Sequence, residues 1–427
     1  MNRAEVWLWG SRIAYLELTD NDVVEFEYDK DFIKSGIELS PIEMPLSTRI
    51  YSFPQLPKES FSGLPGLISD SLPDRFGNAV IDDWLARQGR LPESFNVIER
   101  LCYTGKRGMG ALEYKPEMSD DFSQQVHIDE LVNLASEVLN KRKKISVDLN
   151  ENNAINQLFS IGTSAGGARA KAIIAWNKKT GEIRSGQIDA EKYFDYYIIK
   201  FDGVDNNGDH NLRDSQGYTR IEYAYYLMAI NAGVNMMSCE LFEENGRSHF
   251  MTKRFDRVDG KKIHTQTFGA LCHIDYNTPN LASYELLAKR AKQIGLSQKE
   301  IEQIYRRMIF NVMAINYDDH VKNFTFLMDR NGKWSLSPAY DITYTYKENS
   351  RWISQHQMRI NGKSKNIELN DLFEAGKSMN ITKNKCMKIM QEVAKSIQHW
   401  PDFAKQANVS QEAIDSIQNH IQMQWLF

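Results

Sequence analysis

The chain has 427 residues, 42% of them hydrophobic and 25% charged, which is enough apolar material for two or three folded domains and too much for a disordered chain. No run approaches the ~18 consecutive apolar residues of a spanning helix, and the opening MNRAEVWLWGSR has no small-residue cleavage pattern of a signal peptide. A net charge of −4 excludes nucleic-acid binding by bulk positive charge.

Residues 1–115 read as a small β-rich subdomain. RIAYLEL and VVEFEY alternate like strands of a meander, a Pro, Ser and Gly-rich loop runs from Ser52 to Pro73, and Asn78 to Gly89 carries helical spacing. Residues 116–154 read as a polar linker followed by an amphipathic helix over 128–140. Residues 155–260 hold GTSAGGARAKAIIAW, the apolar strand FDYYIIKF, a helix opened at Thr219 and closed by Gly233, and a hairpin turning at Asn245-Gly246. From 261 to 427 helices dominate, including SYELLAKRAKQIG and EIEQIYRRMIFNVMAINY, with one further hairpin turning at Asn331-Gly332; everything after it reads as helix. The four cysteines, Cys102, Cys239, Cys272 and Cys386, form no C-x-x-C pair, so they read as reduced thiols of a cytoplasmic protein.

The chemistry concentrates between Asp318 and Asp341. Asp318 and Asn323 stand as D-x-x-x-x-N between a helix and a strand, and the hairpin that follows returns the chain at Asp341. Phosphoryl transfer needs a carboxylate beside the attacking hydroxyl and hard oxygen ligands for Mg²⁺. The spacing therefore points to Asp318 as base and to Asn323 and Asp341 as metal ligands, set against the plainer reading of a capped turn. Upstream, GTSAGGARAKA offers backbone N–H groups to phosphates but is neither a Walker A loop nor G-x-G-x-x-G. Lys200 ends a strand as the phosphate-pairing lysine of a kinase does, and Glu222 on the next helix is placed to orient it; an exposed strand-end lysine and a helix-dipole acid are the alternatives. Two look-alikes fall away. HNLRD, His210 to Asp214, has Thr219 where a metal-binding Asn belongs, and GKRGMGAL, Gly105 to Leu112, reads as a β-turn between apolar strands.

Taken in order, these motifs resemble the HipA family of serine/threonine-kinase toxins over nearly the whole chain. FSGLPGLISDSLPDRFGN and GMGALEY resemble its first subdomain; GTSAGGARAKA, YYIIKFDG, KRFDR, YDDHVKNF and LSPAYDI resemble its core. The resemblance implies an α+β, two-lobed protein-kinase-like fold with a β-rich N-terminal subdomain and a helical C-lobe. It implies ATP and Mg as cofactors and Asp318 as catalytic base, with Asn323 and Asp341 on the metal. Gly166, Gly167, Ala168, Arg169, Ala170 and Lys171 match the phosphate loop, and Lys200 the phosphate-binding lysine. Lys253, Arg254 and Phe255 match the hinge beside adenine. His320, Val321 and Lys322, with Tyr340, match the remaining nucleotide contacts. Ser164 falls where the family's autophosphorylated serine lies, with Thr163 beside it. The chain departs from some members in having Asp319, not glycine, after the base, and GGARAK as its phosphate loop. The implied partners are a helix-turn-helix antitoxin of the HipB type, DNA through that antitoxin only, and a protein substrate such as an aminoacyl-tRNA synthetase. A pseudokinase co-repressor and a small-molecule or lipid kinase are the competing readings; no basic amphipathic segment favours a membrane substrate.

Overall fold

The computed structural model describes residues 1–87, 89–118, 127–141, 169–187, 193–204 and 217–421. Alternation of apolar and polar side chains over β1 (Arg3–Leu8), β2 (Ser11–Leu18) and β3 (Val24–Tyr28) buries one side of each strand. With β4 (Tyr51–Ser52) and β5 (Leu112–Lys115) they form an antiparallel sheet of order β4-β3-β2-β1-β5, so the expected meander is present. The stretch from Ser52 to Pro73 differs from the expected loop. It contains two helical turns, Lys58–Phe61 and Gly66–Ser69, because Phe61, Leu67 and Ile68 each have a core to enter.

A second sheet has the order β7-β6-β8-β10-β9, built from β6 (Lys171–Trp176), β7 (Ile183–Ser185), β8 (Asp195–Lys200), β9 (Cys239–Glu244) and β10 (Arg247–Lys253). Asn245 and Gly246, at φ 47° and 76°, join the last two strands, the left-handed pair a tight hairpin requires. Ala172 pairs with Ile199 and Ile174 with Tyr197. These four enter one hydrophobic core with Phe76, Val80 and Leu85 of the helix Arg75–Arg87 and Leu131 and Val132 of the helix Ile128–Lys141. The intervening pairs, Lys171 with Lys200 and Ile173 with Ile198, stand on the opposite face.

The chain divides into two compact units, Met1–Gln216 with Glu240–Gln266, and Gly217–Cys239 with Thr267–Phe427. The second is mainly helical. Its helix Gln298–Met313 starts at a Ser297/Glu300 capping box and buries Ile301, Ile304, Tyr305, Met308, Ile309 and Val312, the stripe that 3.6-residue spacing produces. A hairpin of Thr325–Met328 and Trp334–Leu336 follows. Its turn runs from Asp329 to Lys333, wider than Asn331-Gly332, because Asp329 Oδ1 accepts the N–H groups of Asn331 and Lys333 at 2.8 and 3.0 Å. Residues 344–368 correct the expectation of continuous helix after the hairpin. They hold no helix, and their Asn, Gly and Ser residues form turns before helices resume at Leu369–Ser378. The α+β class is as expected, and among the described residues no helix is long and apolar enough to cross a membrane.

Burial lowers the pKa of His249, His264 and His273 to about 4. In the unfolded chain these imidazoles titrate near 6.5, so the unfolded state takes the proton first. Stability is full above about pH 6.5 and declines as pH falls toward about 4. Urea midpoints at pH 7.5 and pH 5 check this; a midpoint that is equal or higher at pH 5 contradicts it.

Candidate active site

The helix Gln298–Met313 ends in a buried chain reversal at Ile315, φ 56°, after which Asn316 forms a parallel bridge with Thr345. The next residues make a closed loop. Asn323 donates its backbone N–H to the His320 carbonyl at 2.9 Å and its side-chain Nδ2 to the Asp318 carbonyl at 2.7 Å. The D-x-x-x-x-N spacing is what lets the amide at one end reach the carbonyl at the other. His320 caps the short turn Val321–Asn323, its Nδ1 accepting from the Lys322 N–H at 3.2 Å. Its Nε2 lies 3.9 Å from Asp318 Oδ1, and both side chains are about a quarter exposed, at 24% and 26%. Val321 is buried against Gly269, where a Cβ would stand 2.9 Å from Val321 Cγ2. Lys322 Nζ lies 4.4 Å above the ring of Tyr276, a cation–π contact.

The hairpin brings its far end back to this loop. Tyr340 OH donates to the Lys322 carbonyl at 2.6 Å and accepts from Thr325 Oγ1 at 2.6 Å, tying the first strand and the segment after the hairpin to the loop. Asp341 follows at φ 56°, a left-handed conformation that Asp adopts more readily than most residues. Asn323, Tyr340 and Asp341 line one cleft together with Asp319, Asn311 and Arg307. Since Asn323 Nδ2 is engaged by the backbone, Oδ1 is its atom for a metal. Carboxylate and amide oxygens are the donor chemistry of a hard cation. Among the described residues no cluster of three or more His, Cys, Asp or Glu side chains could hold a metal ion.

Sequence reasoning passed over Asp319. It is 1% exposed and accepts from Tyr284 OH at 2.7 Å, His356 Nδ1 at 2.8 Å and the Gln357 backbone N–H at 2.7 Å. Asn311 Nδ2 donates to Tyr284 OH at 2.9 Å, and Asn316 Nδ2 to Asn311 Oδ1 at 2.9 Å, so the network returns to the start of the loop. Burial, then the Asp319 charge, pushes the Tyr284 phenol well above its usual pKa. The one signal in the sequence is the acid pair Asp318-Asp319 itself.

In the first unit, Gly166, Gly167, Ala168 and Ser164 lie outside the described residues, as does the HNLRD segment. Ala170 and Lys171 are buried at the start of β6, and Arg169 precedes them. Lys171 Nζ lies 3.4 Å from Asp74 Oδ2. Lys200 closes β8 directly across from Lys171, its Nζ 5.8 Å from the Phe250 ring. Glu222 is buried on the helix Tyr218–Asn231 of the second unit. Lys253 Nζ pairs with Asp195 Oδ1 at 2.7 Å. Arg254 is fully engaged in the interior: Nε and Nη2 meet the two Asp256 oxygens at 2.8 and 2.7 Å, Nη1 donates to the Gly186 carbonyl at 3.3 Å, and its backbone N–H bonds to the Tyr196 carbonyl. Its neighbour Phe255 is half-buried. Burial would raise the Asp256 carboxyl, but Arg254 and Arg257 hold it below the usual carboxylate range. Asp256 Oδ2 also accepts the Gly110 N–H at 2.7 Å, while Arg257 donates to the Gly110 and Gly108 carbonyls at 2.9 and 3.1 Å. The GKRGMGAL stretch is therefore a latched structural loop, and it does not join two strands as expected: it follows the helix Val97–Thr104, whose apolar face is buried, and leads into β5.

Asp319→Ala leaves buried donors on Tyr284, His356 and Gln357 without their acceptor, a loss of about 3 kcal/mol or more. Chemical unfolding checks it, and adding Tyr284→Phe costs less than the sum of the two single changes because they share one network. Fully additive costs contradict the network.

The profile of the HipA N-terminal domain matches residues 4–115, and that of the HipA-like C-terminal domain residues 163–400. The protein Y4dM of Sinorhizobium fredii, a kinase by name, is 31% identical over 97 residues, which are 22% of this chain; the match spans 23% of that relative's length. A chain of the Shewanella oneidensis toxin–antitoxin complex of HipA, HipB and operator DNA superposes with a TM-score of 0.64 at 17% identity, covering 99% of this chain and 96% of that one. That likeness establishes the fold. The Helicobacter pylori proinflammatory kinase CtkA reaches a TM-score of 0.32 at 14% identity over 60% of this chain and 92% of that one, too low to support an argument.

Proposed function

This chain belongs to the HipA family, and from that premise we propose that it is an ATP- and Mg²⁺-dependent serine/threonine protein kinase, the toxin of a toxin–antitoxin pair. The observation that carries the reading is the closed loop from Asp318 to Asn323, with Asp341 returned to the same cleft. Asp318 accepts the proton of the attacking hydroxyl; its quarter-exposed carboxylate is within a substrate's reach. Asn323 Oδ1 and Asp341 hold Mg²⁺, an ion that commonly takes one or two carboxylates and completes its shell with phosphate oxygens and water. Bound there, the ion neutralises charge on the phosphoryl group in transfer. Lys200 and the segment from Gly166 to Lys171 hold the phosphates. His320, Val321, Lys322 and Tyr340 line the nucleotide's path. At the hinge, Lys253 to Phe255 meet adenine by backbone and by Phe255, because the Arg254 side chain is occupied by Asp256.

Ser164 takes its phosphate from ATP, in a transfer that the protein itself catalyses and that releases ADP. About −1.5 to −2 charges on a loop that presents N–H groups to phosphates oppose nucleotide binding and switch the enzyme off. The partner is a helix-turn-helix antitoxin of the HipB type, and contact with DNA runs through it. The HipA structure of like fold is a complex with HipB and operator DNA, and a net charge of −4 gives this chain little attraction of its own for a phosphate backbone. The substrate is a translation component such as an aminoacyl-tRNA synthetase.

Asp318→Asn lowers phosphate transfer by about 10²–10⁴ while ATP still binds. Labelled phosphate in a cell extract, separated into protein bands and small molecules, measures the loss and identifies the acceptor class. Mass spectrometry of the same samples finds phosphate on Ser164 in the wild type and none in the variant. Wild-type transfer by the variant overturns the assignment of the base. Asp341→Ala weakens Mg·ATP binding as well as turnover, and unchanged affinity in calorimetry makes Asp341 a structural residue.

A further inference from the structure

The motif SLPDRFGN lies in the N-terminal region and has no part in the chemistry above, yet its acid is nearly buried. Asp74 Oδ1 accepts the Gly77 N–H at 2.9 Å and so caps the helix Arg75–Arg87. Its other oxygen, Oδ2, lies 3.4 Å from Lys171 Nζ, with side-chain exposures of 9% and 3%. Lys171 is the first residue of β6, which otherwise reads AIIAW, and an apolar residue there would fold at less cost. An ammonium taken out of water needs a partner, and this one stands directly across the sheet from a second lysine, Lys200. Like charges at directly opposed positions repel. The shared core of Phe76, Val80, Ala172 and Ile174 fixes the helix that Asp74 caps against the sheet, so the carboxylate is held in place from both sides.

Lys171 and Lys200 thus stand opposite each other at one end of the sheet, with the Asp74 carboxylate beside the first. We propose that Asp74 is a positioning residue for the polyphosphate of the nucleotide. It holds Lys171 beside Lys200, so the N-terminal subdomain supplies part of phosphate recognition. The inference rests on the kinase reading and adds to it a residue from outside the kinase-like core. A plain structural tie between helix and strand is the alternative, and the two differ in what they do to a ligand without phosphates.

Asp74→Asn separates the two functions of the residue, since Asn caps a helix as well as Asp but carries no charge. Calorimetry on the full chain with Mg·ATP and with adenosine measures the effect, using wild type, Asp74→Asn, Lys171→Met, the double variant and Lys200→Met. Asp74→Asn weakens Mg·ATP by on the order of tenfold, the scale of one charge-assisted contact, and leaves adenosine within about twofold. Lys171→Met, which replaces a buried cation with an apolar chain, gives the same ATP-specific loss, and the double variant is no weaker than Lys171→Met alone. Equal loss for ATP and adenosine, or wild-type ATP affinity in Asp74→Asn or Lys171→Met, overturns the proposal. Lys200→Met separates its failure from that of the kinase reading. If Lys200→Met loses ATP affinity and Asp74→Asn does not, only the role of Asp74 falls. If Lys200→Met binds ATP as the wild type does, the kinase reading falls and takes this inference with it.

Discussion

Asp319 is surrounded by a phenol, an imidazole and a backbone N–H, all within 2.8 Å of its carboxylate. A buried acid of this kind is costly unless its lone pairs are filled, and filling them fixes the atoms that do so. Tyr284 belongs to the helix Tyr284–Gln293, while His356 and Gln357 belong to the irregular stretch after the hairpin. One carboxylate thus gathers a helix, a loop and an irregular return around the residue next to Asp318. The loop itself is three short contacts long; its rigidity comes from the network beneath it, through Tyr284 to Asn311 and Asn316.

The cleft beside this network mixes polar side chains with Phe324, Ala339 and Ile342. Arg307 is buried there, with Nη2 donating to the Ser337 carbonyl and the burial lowering its pKa to about 10. Ser337 begins the S-P-A-Y-D segment that ends at Asp341, and Ala339 is held by the Asn235 carbonyl at 2.7 Å. The left-handed backbone of Asp341 thus follows a segment held at Ser337, Ala339 and Tyr340. For a carboxylate proposed to hold a metal such support matters, because reorganising it on binding would cost affinity.

Features governed by neighbours along the chain are legible from the residues alone. Asn245-Gly246 fixes its hairpin because two consecutive left-handed residues suit that dipeptide. The apolar stripe of Gln298–Met313 and the Asp318-to-Asn323 closure are equally local. The support of the site is not legible in this way, because Asp319 finds its partners 35, 37 and 38 residues away. Residues 344–368 depart from helix for a related reason: their conformation is set by what they bond to, including Asp319, and not by periodicity. Arg254 shows the same limit. Its partner Asp256 is two residues on, yet only Gly186 and Gly110, brought in from other parts of the chain, show that the pair is interior.

The Asp256 carboxylate is shared among Arg254, Arg257 and the Gly110 N–H. Gly110 falls inside the stretch matched by the N-terminal family profile and Asp256 inside the C-terminal one. The two profiles therefore divide the sequence at a place where the interior is continuous. A chimera joining the first stretch of one family member to the second stretch of another inherits this seam. Unless the donor's glycine loop has the same backbone course, it leaves a buried carboxylate and two guanidinium groups facing the wrong surface. The two stretches are halves of one interior, even though the two profiles count them apart.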